Sequence, residues 1–158
     1  MERCVFLYLL AFALLAGCGR AEYSAEYNIP DTELTLRIDL KQINPPLAEY
    51  ERSLVVIRAG SLLQSVVLTS DIGGYSLLNL YKLPSGEYVL DYDGNSDYRI
   101  DPRTGTVHAK LRGIPIGESD RPLTGPYIGA FDFDHEYVWQ FFQASLRAER
   151  KVGLPYAP

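Results

Sequence analysis

Few side chains in this sequence have the types and spacing that chemistry demands. Asp91, Asp93, Asn95 and Asp97 fall at alternate positions and offer oxygen donors of the kind that hold calcium in a loop. The match to an EF-hand is incomplete: Gly94 precedes Asn95 instead of following it, and Pro102 stands where a bidentate Glu is needed. A hairpin with acidic flanks explains the same residues, so no metal site is assigned and the four remain a calcium candidate. Asp132, Asp134 and Glu136 form a second acidic cluster, much of which helix capping would explain.

The stretch from Gly113 to Pro126 holds three prolines, three glycines, Glu118, Asp120 and Arg121. Long irregular connections inside compact domains often carry function. A plain crossover between two sheets accounts for the stretch as well. Glu118, Asp120 and Arg121, with Tyr127 and the single tryptophan Trp139, are the candidate binding residues. His108 and His135 belong to no zinc pattern, because no second His follows one turn after His135-Glu136. There is no nucleophile elbow and no glycine-rich phosphate loop. No catalytic constellation is present, and the expectation is a non-enzymatic protein.

The remaining reactive group is a thiol. Cys18 directly follows Leu14-Leu15-Ala16-Gly17, which closes an uncharged run from Cys4. The run is shorter than the roughly 20 apolar residues that span a bilayer. It follows Arg3 and ends in small residues, so residues 1–17 read as a secretory signal. Leu, two small residues and Cys resemble the lipobox of bacterial lipoproteins. The resemblance implies a diacylglyceryl group on the Cys18 thiol, cleavage that leaves Cys18 first, and acylation of its amine, commonly palmitate. Gly19 stands where members of that family retained at the inner membrane carry Asp. The implied location is therefore the outer membrane, facing the periplasm. The lipid is the only non-protein group expected, with no separate cofactor.

Composition agrees with an exported globule. Removal of 17 residues from 158 leaves 141, enough for one domain, and the net charge stays at −5. An acidic chain is a poor nucleic-acid binder. With Cys4 lost and Cys18 lipidated, no disulfide is available, so the fold must rest on its core.

Along the chain, residues 18–30 read as a lipidated polar tether and residues 31–158 as the folded domain. Leu34-Thr35-Leu36-Arg37-Ile38-Asp39-Leu40 alternates as a half-buried strand does. Leu54 to Arg58 and Leu62 to Thr69 flank Ala59-Gly60-Ser61 as a hairpin. Tyr81-Lys82-Leu83-Pro84-Ser85-Gly86-Glu87-Tyr88-Val89 is echoed by Tyr98 to Val107, which suggests two similar hairpins in a meander. Tyr127 to Phe133 is a last strand. Residues 135–151 place Tyr137, Val138, Phe141, Ala144 and Ala148 on one arc, with acids first and bases last, and read as a terminal helix.

Gly74-Tyr75-Ser76-Leu77, followed by Leu83-Pro84-Ser85-Gly86-Glu87-Tyr88-Val89-Leu90, resembles the carboxypeptidase regulatory-like and prealbumin-like modules. The resemblance implies an antiparallel β-sandwich, Ig-like or transthyretin-like, and carries no catalytic residues. The expectation is a mainly β, membrane-anchored lipoprotein that serves as an envelope assembly or accessory subunit and binds another envelope protein. The alternatives are a periplasmic inhibitor or immunity protein against a hydrolase or toxin, and an enzyme acting on polysaccharide.

Overall fold

The computed structural model describes residues 22–70, 77–91, 96–111 and 125–149. Cys18 and the signal, the residues between Asp91 and Ser96, and Glu118, Asp120 and Arg121 lie outside them. The described chain is mainly β and forms two antiparallel sheets. Among the described residues no helix is long and apolar enough to cross a membrane.

The first sheet holds β1 (Glu22–Asn28), β2 (Leu34–Asn44), β3 (Glu49–Arg58) and β4 (Ser61–Val67) in that order. Its inner face follows from period-two alternation. Leu34, Leu36, Ile38 and Leu40 of β2 are buried, while Thr35, Arg37 and Asp39 point away. On β3 the inner residues are Tyr50, Arg52, Leu54 and Val56. Each buried Leu or Ile contributes about 1.5–3 kcal/mol relative to exposure.

The second sheet holds β5 (Leu78–Lys82), β6 (Tyr88–Asp91), β7 (Ser96–Ile100), β8 (Val107–Leu111), β9 (Tyr127–Phe133) and β10 (Trp139–Gln143). Its order is β10-β9-β5-β6-β7-β8. The echoed segments are the hairpins β5-β6 and β7-β8 of one meander, and their turn glycines, Gly86 and Gly105, both have positive φ. Leu78, Leu80, Tyr88, Leu90, Tyr98, Ile100, Phe131 and Trp139 face the first sheet and complete a single core.

Two expectations are corrected. The supposed tether is a strand: Glu22–Asn28 pairs along its whole length with β2. Ala25 is buried, and Tyr23 and Tyr27 pack on the core. Ala25, Tyr27 and Ile29 alternate with Ser24, Glu26 and Asn28, which is strand patterning. The terminal helix is likewise absent where described: residues 139–143 are β10, paired with β9 from Trp139↔Phe133 to Gln143↔Gly129. Asp134 closes the hairpin. Its Oδ1 accepts from the amides of Glu136 and Val138 at 2.8 Å each. That bonding resembles a helix cap, but Tyr137 takes a φ of 61° and turns the chain back.

Candidate functional site

Four strands form the edges of the two sheets among the described residues. Edges expose unpaired amides and carbonyls, and proteins blunt them with charge, shortness or cover. β1 carries Glu22 and Glu26, and the sequence of β8 includes His108 and Lys110. β10 is uncharged but short; Trp139 is buried, Phe141 and Phe142 are half-buried, and the Arg147 guanidinium lies 4.7 Å over the Phe142 ring.

β4 has none of these protections. It reads Ser-Leu-Leu-Gln-Ser-Val-Val, without charge or proline, and Leu62 and Val67 are each 66% exposed. The Leu68 amide bonds to the Arg52 carbonyl at 2.9 Å. Antiparallel alternation then turns the backbone groups of Val66 and Gln64 toward β3, and those of Val67 and Ser65 outward. The inner side chains anchor the strand: Val66 packs on the core, and Gln64 Oε1 accepts from the Val107 amide at 2.9 Å. A firmly held strand thus presents an uncharged ladder that is open among the described residues.

The outer face of the second sheet is covered, in contrast. Asn79, Val89, Asp91 and Ala130 are buried there, although they alternate with the core residues. After β10 the chain crosses this face. Arg147 pairs with Asp132 and donates to the Phe133 carbonyl at 2.7 Å, and Glu149 accepts from the Tyr81 hydroxyl at 2.9 Å. A bulge between Leu80 and Tyr81 brings Tyr127 opposite Tyr81, with ring centres 5.7 Å apart. Gly129 permits it: its φ is 154°, and a Cβ there would strike the Phe142 carbonyl. Burial, then the Glu149 bond, raises the Tyr81 phenol far above its ordinary value; burial also raises Tyr127. Both stay protonated, and Tyr81 acts as a donor, not a base.

The candidate residues from sequence separate accordingly. Trp139 is a core residue, 4% exposed, with its Nε1 donating to the Ile38 carbonyl at 3.3 Å, so it is not a surface for a partner. Tyr127 is half-buried in the aromatic–acid cluster. Asp91 stands opposite Asp97 across β6 and β7 and is buried; Asp93 and Asn95 lie outside the described residues. Among the described residues no cluster of three metal-ligating side chains occurs.

Arg52 is a feature that sequence patterning missed. It is fully buried on the core face of β3, where alternation calls for an apolar residue. Its Nε donates to the Thr69 carbonyl at 2.9 Å, and the Thr69 amide donates to the Tyr98 hydroxyl at 2.8 Å. The charge thereby clamps the exit of β4 to β7.

A shallow groove of about 600 Å³ crosses the outer face of the first sheet, lined in part by Glu22, Ser24, Arg37, Asp39, Lys41 and Ser53. Asp39 accepts from both Ser24 and Arg37, so its carboxylate is already engaged. Among the described residues no histidine lines the groove to take a proton from its serines. No known protein family, curated protein or solved structure matches the chain.

Proposed function

We propose that this protein is a lipid-anchored, non-enzymatic subunit of a bacterial cell envelope that binds another envelope protein by strand addition along β4. The anchor reading rests on Leu15-Ala16-Gly17-Cys18, and Gly19 favours the periplasmic face of the outer membrane. The binding reading is carried by one observation: β4 is the sheet edge that has neither charge nor cover among the described residues. An open ladder recognises an extended backbone, and its side chains select the strand that docks. Leu62 and Val67 fit an uncharged segment with apolar or β-branched residues at alternate positions, because opposed charges would lose hydration for nothing.

The test is a proline at an outward-facing amide. Ser65→Pro removes one ladder donor and leaves the bonds to β3 in place. The variant should melt like the parent and lose the stoichiometric partner recovered from detergent-solubilised envelopes. Retention of that partner by both Ser65→Pro and Val67→Lys would refute the assignment to β4. A hydrolase as the single stoichiometric partner would favour the inhibitor reading.

A further inference from the structure

The two ends of the sandwich differ in their distance along the chain from Cys18. β1 begins at Glu22, opposite Lys41 of β2. The same end holds the β2-β3 connection, where a single 3-10 turn, Pro45–Leu47, caps the hairpin. It also holds the β9-β10 hairpin, because Phe133 packs on Tyr23 at 5.1 Å and on Tyr50 at 5.8 Å. Four large apolar side chains stand out at this end: Ile43, near the end of β2, and Leu47, Tyr137 and Val138 in the connections are 41%, 58%, 79% and 51% exposed.

Three residues separate Cys18 from Glu22, so the two Cα atoms lie within about 14 Å of each other. Ile43 is two positions beyond Lys41 on β2, about 7 Å further toward the same end. A headgroup layer is about 5–7 Å deep. A lipid on Cys18 therefore brings this end, and not the opposite one, to the bilayer. Pro45 and Pro46 contribute no amide donors, which lowers the cost of placing the tip among acyl chains.

We propose that this end of the sandwich rests on the membrane, with Ile43 and Leu47 at the headgroup–acyl boundary and Tyr137 and Val138 beside them. The proposal rests on the lipid-anchor reading. Among the described residues, Glu22, Glu49, Glu51 and Glu136 stand around the tips and outnumber Lys41, so the fit is to zwitterionic lipid. The strands then run away from the surface, and the β4 edge stays open to a partner from the side.

The experiment uses full-length protein, processed from its own signal and reconstituted in zwitterionic vesicles. Leu47→Cys supplies a lone free thiol for an environment-sensitive fluorophore, since Cys18 is occupied by lipid. Gly60→Cys supplies the control at the far end. The Leu47 probe should emit at shorter wavelength and be quenched several-fold more by nitroxide lipids than the Gly60 probe. Added anionic lipid should reduce that difference. Equal quenching at both positions on a protein whose Cys18 carries lipid overturns the docking and leaves the anchor standing. Mass spectrometry that finds no lipid on Cys18 overturns both.

Discussion

The end of the sandwich near Glu22 and the end near Gly60 are built from the same parts to different effect. Each is closed by a turn that a carboxylate organises: Asp134 accepts two backbone amides at the first, and Asp101 accepts the Arg103 amide at the second, 2.8 Å in each case. The far-end turns are small and polar, among them Asp31, Thr32, Glu33, Gly60, Arg103 and Thr104. They are tied to one another, with the Ala59 amide on the Glu33 carbonyl and the Arg58 guanidinium on the Arg103 carbonyl. The near-end connections expose Leu47, Tyr137 and Val138, whereas the apolar exposure next to the far-end Gly60 turn, Leu62 and Leu63, belongs to the β4 edge. Polar turns satisfy their own hydrogen bonds in water. Exposed apolar tips gain free energy only against another apolar medium. Under the proposed docking, the difference between the ends concerns what each one faces.

The sharpest way to break this contrast is through the core beneath the near end. Trp139→Ala should cost about 3–5 kcal/mol, because a buried ring that packs on Phe131 and Phe133 leaves a cavity. A melting temperature equal to that of the parent would mean that β10 is not docked as described.

The matching probe at the far end is Gly105→Ala. The residue has φ of 78°, and an added Cβ would lie 2.6 Å from Leu63 Cδ1. The expected loss is about 1–3 kcal/mol, read by denaturant unfolding. Because Leu63 belongs to β4, the same variant should also raise amide exchange along that edge.

The two carboxylates give a pH test. Backbone amides, first that of Val138 for Asp134 and that of Arg103 for Asp101, hold both acids below the ordinary value of 3.8. A folded pKa below the unfolded one contributes stability above the unfolded value and loses it as pH falls through the folded value. Melting temperature should therefore drop as pH falls below about 4, and Asp134→Asn with Asp101→Asn should flatten that part of the curve. An unaltered acid slope in the double variant would show that neither turn depends on its carboxylate.

The smallest effect is the most informative for function. Leu47→Ser should change stability by less than about 0.5 kcal/mol, since the side chain is exposed. The same change should weaken contact of the near end with zwitterionic vesicles. A large loss of stability would mean that Leu47 is a packing residue.

Much of this architecture was legible in the residues. Strict alternation marked β2, and the Tyr81 and Tyr98 echoes marked the meander with its two turn glycines. The reading failed where a sheet face departs from polar. Trp139, Phe141 and Phe142 broke the alternation that identifies a strand with one wet face, yet β10 has the core on one side and Arg147 stacked on the other. The carboxylate of Asp134 deepened the error, because a hairpin turn and a helix start use the same acceptor chemistry. β1 was missed for another reason: proximity to the anchor suggested a tether, although alternate residues already had strand patterning. The β4 edge was visible as a strand, but its lack of a neighbour among the described residues is a property of topology that sequence spacing does not encode.

Both the anchor and the membrane-facing end follow from a lipid on Cys18. Mass spectrometry of protein purified from its host membrane should give a chain that starts at Cys18 with acyl mass on it. A product with an unmodified thiol at that position, or with residues 1–17 still attached, would contradict both.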